Sequence, residues 1–141
     1  RDLIDGAAYL FNNEYESQLI QQRTGWTERE ILDRVGVRVT TLGKKGSRIQ
    51  SSDGLDVHVP VAQEKVIKDP TGVGDAFRAG FLTGLAWGVD LQCCGQLGSM
   101  LAAHVIETVG TQEFALDRAD FIERFAMAYG PSAATTISEH L

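Results

Sequence analysis

One stretch of the sequence, residues 69–77 (DPTGVGDAF), combines a flexible turn with a carboxylate. Gly72 and Gly74 precede apolar residues at helical spacing, so we expect the amides of the turn to lie unshielded at a helix N-terminus. Such amides, together with the helix dipole, bind phosphate or developing negative charge. Asp75 follows at once and could act as general base for a hydroxyl attacking a bound phosphoryl group. The alternative is an ordinary loop in which Asp75 only favours the first helical turn.

A second polar pair, Asn13 and Glu16, follows a short apolar run at 7–11 that predicts a buried strand. The spacing is that of a capping box, although that motif usually begins with Ser or Thr, so a structural N-cap is one interpretation. The other is a magnesium site. A hard cation that keeps most of its water molecules needs only one carboxylate at the start of a helix.

A third motif begins with Thr41 and Gly43 and ends with Gly46, after an alternating β-branched run at 37–42 that predicts a strand. Glycine at both ends of the turn permits positive φ and lets a ligand approach the backbone. A plain hairpin with two solvated lysines is the alternative. The return strand is predicted at 47–51.

In their order along the chain, 13–16, 41–46 and 69–77, the three motifs resemble those of the PfkB/ribokinase family of carbohydrate and nucleoside kinases, whose second signature is similar to residues 69–77. The resemblance implies that the amides of Gly72, Val73 and Gly74 form an anion hole. It also implies that Asp75 is the catalytic base, which deprotonates the hydroxyl of the phosphate acceptor. The match extends over most of the chain.

The same resemblance implies a set of nucleotide and cation sites. The residues that it assigns to ATP are Asn13, Thr41, Gly43 and Gly46. Glu16 would organise Mg²⁺ through water, and Asp69 with Thr71 would help to hold a monovalent cation such as K⁺. Pro70 departs from the pattern, because ribokinase relatives often carry Thr there, and this makes the monovalent site the less secure of the two.

Within the family, segments 13–16, 69–81 and 110–113 look most like actinobacterial adenosine kinases. This implies ATP-dependent phosphorylation of adenosine to AMP, a reaction of purine salvage. A ribokinase-like sugar kinase is the alternative in the same class. A non-catalytic nucleotide-binding module is the alternative from another class, and the intact Asp75 and Glu16 argue against it.

Composition narrows the class of partner. The chain has 141 residues, 43% of them hydrophobic, and a formal net charge of −6, which argues against a nucleic-acid polymer or an anionic membrane as partner. No apolar run approaches transmembrane length, and the first residues do not form a signal-peptide core. The two cysteines, Cys93 and Cys94, are adjacent and cannot form a disulfide that links distant parts of the fold. Without a disulfide framework we expect a protein of the reducing cytoplasm.

Strands separated by helices, with one hairpin, predict an α/β layered domain. The resemblance implies the ribokinase-like fold, with a mostly parallel sheet flanked by helices. Family members are about twice as long, so residues 1–141 are expected to be the C-terminal part of the catalytic domain, without the N-terminal half and the lid. We expect this part alone to be inactive. Family members of this type often dimerise through the lid, so the resemblance allows a homodimer of the full-length protein and leaves its oligomeric state open.

Local patterns also predict individual elements of the second half. A strand at 66–68 is expected to deliver Asp69 and Thr71 to the active loop, and helices are expected from Gly74 to about Trp87, from 91 to about 107 and from 117 to 129. The polar loop at 108–113 resembles the loop that closes over the nucleotide in the family. His104 lies near it in sequence and either borders the adenine or is a histidine packed in the core or exposed at the surface.

Overall fold

The computed structural model describes residues 1–108 and 116–141. The chain divides into two compact units, Arg1–Pro60 and Val61–Leu141, called here the N-terminal and C-terminal units. The elements of the N-terminal unit are β1 (Tyr9–Asn13), α1 (Glu14–Thr24), α2 (Glu28–Leu32), β2 (Val37–Thr41), a 3₁₀ turn (Gly43–Lys45), β3 (Ser47–Ser51) and β4 (Asp56–Val59). Those described in the C-terminal unit are α3 (Val73–Trp87), α4 (Leu91–Ile106), α5 (Arg118–Tyr129) and α6 (Pro131–Ser138).

The four strands of the N-terminal unit form one sheet in the order β1-β2-β3-β4. β1 and β2 pair in parallel, which requires a crossover connection, and α1 with α2 supplies it. The pairs β2–β3 and β3–β4 are antiparallel and are joined by short turns. The α/β class and the inserted hairpin are therefore as predicted, and the parallel pairing of the sheet lies between β1 and β2.

Helices α3 and α4 of the C-terminal unit pack with their backbones in close contact. A Cβ atom added at Gly80 would lie 2.6 Å from the carbonyl oxygen of Leu97. One added at Gly98 would lie 2.6 Å from the carbonyl oxygen of Phe77. Both distances are shorter than any real side chain permits, so this helix pair depends on glycine at the interface.

The hydrophobic core of the C-terminal unit lies among α4, α5 and α6. Its buried members are Ala62, Cys93, Leu97, Met100, Ala103, Phe121, Phe125, Ala134 and Ile137. Ring contacts link Phe121 to Phe125, with centroids 6.2 Å apart, and Phe125 to Tyr129, at 5.0 Å. Among the helices in the described ranges, none has the length and apolar character needed to cross a membrane.

The strand predicted at 66–68 is wrong. Residues 61–71 contain neither helix nor strand, and Val66 and Ile67 are 48% and 53% exposed. The amides of Lys68 and Asp69 instead donate to the carbonyl oxygen of Ile106, at 2.8 and 3.2 Å. A strand needs a ladder of backbone partners, and the described residues of the C-terminal unit contain no strand with which this segment could pair.

Candidate active site

The predicted anion hole lies at the N-terminus of α3. Gly72 adopts a left-handed conformation, with φ 80° and ψ 0°, and α3 begins at the next residue. The Val73 amide donates a long hydrogen bond of 3.4 Å to the carbonyl of Pro70. The amides of Gly72, Gly74 and Asp75 donate to no acceptor among the residues that the structure describes. A Cβ added at Gly74 would meet nothing within 4 Å, so these donors face open space.

Asp75, the predicted base, stands in the first turn of α3 with its side chain 83% exposed. Its Oδ1 accepts a hydrogen bond of 2.9 Å from Nη1 of Arg78, one turn further along the helix. Sequence reasoning gave Arg78 no role, although a spacing of three residues on a helix is the signal for such a pair. Because both groups are solvated, the ion pair contributes little to stability and leaves the carboxylate free to exchange partners.

Asp69 and Thr71, the predicted cation ligands, lie together in the loop before α3. The amide of Thr71 donates to Oδ1 of Asp69 at 2.8 Å, which closes an Asx turn. The backbone amides of Lys68 and Asp69, at the start of this loop, donate to the carbonyl oxygen of Ile106 at the end of α4. The C-terminal unit therefore brings the loop residues, the unpaired amides and Asp75 into one short stretch of backbone.

The nucleotide residues predicted in the N-terminal unit also lie together. Asn13 and Thr41 are partners in the parallel β1–β2 pair, each at the last position of its strand. Open α/β sheets place their ligands outside the carboxyl ends of parallel strands. The 3₁₀ turn that starts at Gly43 follows β2 directly, so the third motif lies at the same end of the sheet.

The spacing of Asn13 and Glu16 does produce a capping box. Oδ1 of Asn13 accepts from the amide of Glu16 at 2.8 Å, and Oε2 of Glu16 accepts from the amide of Asn13 at 2.9 Å. Oε1 of Glu16 accepts no hydrogen bond from the described part of the chain. One carboxylate oxygen thus remains for a hydrated cation, a donor set that suits Mg²⁺ bound through water.

A buried arginine lies behind this strand end. Arg38 of β2 is 1% exposed, and it donates to Oδ1 of Asn12 at 3.2 Å and to Oγ of Ser17 at 2.6 Å. Asn12 in turn donates to the carbonyl of Asn13 at 3.0 Å. Burial lowers the pKa of Arg38, and the carboxylate of Glu28, 3.7 Å away, opposes that shift. Sequence reasoning missed Arg38. The only indication was a single arginine within a predicted strand of mostly β-branched residues.

The loop between Gly43 and Gly46 adopts the conformation that its glycines allow. Gly46 has φ 93°, and a Cβ there would lie 2.0 Å from the carbonyl oxygen of Val59, so no larger residue fits. The exposed ring of His58 on β4, for which no role was predicted, has Nε2 2.5 Å from the carbonyl oxygen of Lys45. This contact holds the turn from the neighbouring strand.

The remaining candidates are structural or lie outside the described residues. His104 is buried: its Nδ1 is 2.9 Å from the carbonyl oxygen of Met100, and its ring packs against Phe121, in agreement with the core alternative. Burial raises the pKa of Cys93 to about 11 and that of Cys94 to about 12, so neither is a ready nucleophile. Of the loop predicted at 108–113, residues 109–113 lie outside the described ranges.

No group of three or more histidine, cysteine, aspartate or glutamate side chains that could hold a metal ion occurs in the ranges 1–108 and 116–141. Magnesium that keeps its water molecules requires no such cluster.

Known nucleoside and sugar kinases are similar to this chain. A nucleoside kinase of Methanothermobacter thermautotrophicus is 40% identical over 122 residues, covering 86% of this chain and 38% of the relative. The nucleoside kinase of Burkholderia thailandensis, solved in complex with inosine and with ADP-inosine, is 38% identical with a TM-score of 0.82, over 92% of this chain. The ribokinase of Thermotoga maritima is 25% identical, with a TM-score of 0.68 over 85% of this chain.

These similarities cover most of this chain but less than half of each relative. The chain spans 38% of the Methanothermobacter kinase and 45% of the Burkholderia kinase in its inosine complex. The fold is ribokinase-like α/β, as the motifs implied. The model of the pfkB family of carbohydrate kinases matches residues 1–118, which include all three motifs, and the chain therefore belongs to that family.

Proposed function

We propose that this chain is the C-terminal part of an ATP-dependent kinase that transfers the γ-phosphoryl group to a nucleoside hydroxyl, with adenosine as the acceptor. The observation that carries the proposal is the N-terminus of α3, where unpaired amides stand beside the exposed carboxylate of Asp75. Amides alone suit any bound anion, and a carboxylate among them would repel it. A carboxylate that takes a proton from an attacking hydroxyl gives the arrangement a use.

In this proposal the work is divided between positioning, charge stabilisation and proton removal. The amides of Gly72 and Gly74 donate to the transferring phosphoryl group, and that of Val73 joins them by exchanging its long bond to the Pro70 carbonyl for the phosphoryl oxygen. Asp75 receives the proton of the acceptor hydroxyl. A carboxylate serves as base because the proton leaves once the oxygen is already bonding to phosphorus. Arg78 bonds only Oδ1 of Asp75, so Oδ2 can take the proton while the ion pair stays in place.

The nucleotide is assigned to the strand-end residues. The backbone and side chains proposed to contact ATP are those of Asn13, Thr41, Gly43 and Gly46. Glu16 would hold Mg²⁺ through water, and the ion would neutralise phosphate charge when bound. Asp69 and Thr71 are proposed for a monovalent cation such as K⁺, as the family resemblance implies.

The acceptor class is supported by relatives rather than by the site. The Burkholderia kinase, 38% identical, is known in complex with inosine, and the Methanothermobacter relative is named a nucleoside kinase. We therefore propose a nucleoside acceptor and, from the motif wording, adenosine among the nucleosides. The family description as carbohydrate kinases favours ribose as the second candidate acceptor.

The test uses the full-length protein that contains this chain. ATP-dependent phosphorylation of adenosine, inosine and ribose is measured for the wild type and for Asp75→Asn, with ATP binding followed by calorimetry. We expect the nucleosides to be phosphorylated with the higher kcat/KM. Asp75→Asn should lower kcat by about 100-fold or more while ATP still binds. Asp33→Asn is the matched control, because Asp33 is also an exposed carboxylate paired with an arginine on its own helix.

Each other result removes one part of the proposal. Turnover of ribose alone would keep the mechanism and refute the nucleoside acceptor. Equal activity of Asp75→Asn and wild type would show that Asp75 only starts a helix. Binding of ATP without transfer to any of the three acceptors would favour the non-catalytic module.

A further inference from the structure

The segment that leads into the candidate anion hole, residues 61–71, has no helix or strand to fix its course. Its ends are tied to α4. The amide of Ala62 donates to Oγ of Ser99 at 3.0 Å, and the amides of Lys68 and Asp69 donate to the carbonyl of Ile106. An irregular segment takes its conformation from such individual contacts, so what holds its middle part also determines where the loop before α3 lies.

The middle of the segment is held by an ion pair between α5 and the end of α4. Arg124 of α5 donates through Nη2 to Oε1 of Glu107 at 2.6 Å and through Nη1 to Oε2 at 3.1 Å. The side chains are only 10% and 14% exposed. This two-pronged geometry is the strong form of the arginine–carboxylate interaction, and it fixes both side chains relative to each other.

Each member of the pair also bonds to the segment's backbone. Nη2 of Arg124 donates to the carbonyl of Gln63 at 3.1 Å, and Oε1 of Glu107 accepts from the amide of Lys65 at 2.7 Å. The pair thus holds one acceptor and one donor of the segment two residues apart. Burial alone would raise the pKa of Glu107, but the hydrogen bonds from Arg124 and Lys65 and the nearby positive charge leave it lowered.

His104 supports the arginine from the other side. Nη1 of Arg124 lies 3.1 Å from Nε2 of the ring, and Nδ1 lies 2.9 Å from the carbonyl of Met100. A neutral ring with its proton on Nδ1 satisfies both contacts, because it donates to the carbonyl and accepts from the guanidinium. Asp120 lies at the solvent-exposed edge of this cluster. Its Oδ2 is 3.8 Å from Nε2 of His104, and its Oδ1 is 2.8 Å from Nζ of Lys65.

We propose that Arg124 and Glu107 are positioning residues for phosphoryl transfer, which hold the segment 61–71 and through it the anion hole and Asp75. This rests on the proposed function. Phosphoryl transfer depends almost entirely on placement, and a misplacement of about 1 Å costs about 100-fold in rate. The bonds to the backbone at Gln63 and Lys65 are the link through which the pair acts on the segment.

The test again uses the full-length protein, with Arg124→Met and Glu107→Ala as disrupting variants. Glu107→Gln is the conservative variant, since an amide oxygen can still accept from Arg124 and from the Lys65 amide. Arg118→Met and Glu123→Ala on the exposed side of α5 are the matched controls. Arg118 donates to the carbonyl oxygen of Ser138 at 3.1 Å and to no group of the described segment 61–71, so its replacement leaves the segment's own bonds intact. Two quantities are measured: amide hydrogen–deuterium exchange of peptides spanning 61–75, and steady-state kinetics with ATP and adenosine.

We expect the disrupting variants to lose exchange protection at Lys65, Lys68 and Asp69. Their kcat should fall by about 10- to 100-fold while the KM for ATP stays within about threefold, because the interaction lost acts on placement rather than on ground-state binding. Glu107→Gln should recover most of both effects, and the α5 controls should match the wild type.

Two results would overturn the proposal. One is wild-type exchange across 61–75 in the disrupting variants. The other is a lower melting temperature with unchanged kcat per folded molecule. If Arg124→Met fails to fold, the comparison of Glu107→Ala with Glu107→Gln still decides the matter, because both keep Arg124 and differ in whether Arg124 and the Lys65 amide retain an acceptor. A wild-type protein that phosphorylates no acceptor refutes the proposed function and the catalytic role of the pair with it. Hydrogen exchange separates the two failures, since it reports the hold on the segment without any turnover.

Discussion

Replacing Gly74 by alanine separates a structural role of the turn before α3 from a role in binding phosphate. Gly74 has no left-handed φ, and a Cβ there meets nothing within 4 Å, so the fold accepts the methyl group. Alanine is the better helix former by about 1 kcal/mol in a helix interior and by less in the first turn. Stability is therefore expected to stay level or rise slightly.

Activity should change in the opposite direction. A Cα–Cβ bond in a helix tilts toward the N-terminus, so the new methyl group lies beside the unpaired amides of Gly72, Gly74 and Asp75. A phosphoryl oxygen held away from one of these donors loses a hydrogen bond to a charged group, worth about 1.5–3 kcal/mol. That corresponds to a fall of about 10- to 150-fold in kcat/KM at 25 °C.

The assay is kcat/KM for the phosphorylation of adenosine by the full-length protein, with thermal unfolding measured on the same samples. A melting temperature at or above that of the wild type shows that a loss of activity is local. Unchanged activity at unchanged or raised stability would refute the argument, because the amides would then hold nothing that a methyl group can obstruct. The anion hole would have to be sought elsewhere.

Three further predictions concern stability and are checked by thermal or denaturant unfolding. Gly98→Ala should lower the free energy of unfolding by about 1–3 kcal/mol, because the new Cβ would lie 2.6 Å from the carbonyl oxygen of Phe77 and overpack the interface. This cost exceeds the gain in helix propensity. A stabilised variant would contradict the α3–α4 contact. Arg38→Met should cost about 1–3 kcal/mol, because it leaves the buried Oδ1 of Asn12 without its donor, and equal stability would show that Asn12 finds another partner. The lowered pKa of Glu107 contributes stability that is present above its unfolded pKa and is lost as pH falls through its folded pKa. The melting temperature should thus fall more steeply on acidification in the wild type than in Glu107→Gln, and parallel curves would argue against the ion pair.

Elements defined by local chemistry could be predicted from the sequence. The strand at 47–51 and the helix from 74 to 87 agree with β3 and α3 to within one residue, because glycines and turn residues mark their ends. The capping box of Asn13 and Glu16 could also be predicted, because a spacing of three residues at a helix start is what brings the two side chains to each other's backbone amides. The roles assigned to these residues in nucleotide and magnesium binding stay predictions.

The segment at 66–68 failed for a physical reason. A short run of β-branched and apolar residues is the same pattern whether or not a partner strand lies beside it. The pattern shows only that these residues could form strand hydrogen bonds if a partner were present. The amides of Lys68 and Asp69 donate to the carbonyl of Ile106 instead. Edge and loop segments are therefore the part of this fold that sequence periodicity predicts least well.

Contacts between distant side chains were also beyond the sequence. Glu107 and Arg124 are 17 residues apart on different helices, and Gln63 is 61 residues from Arg124. No local spacing joins them, and each alone looks like a solvated charge. Arg78 is the opposite case. Its position three residues after Asp75 on a predicted helix was enough to predict their ion pair from the sequence.

These contacts explain how the C-terminal unit can hold an irregular loop beside the N-terminus of α3. α3 is fixed by backbone contact with α4 through glycines, which leaves the helix no room to shift. The segment before it has no such packing and is fixed by hydrogen bonds to the far end of the same α4. Both parts of the candidate anion hole are therefore positioned by one helix, through its middle at Gly98 and through its C-terminal end at Ile106 and Glu107. Activity is then expected to be more sensitive than stability to substitutions along α4, and kinetic measurements on Gly98→Ala and on the Glu107 variants test the two contacts separately.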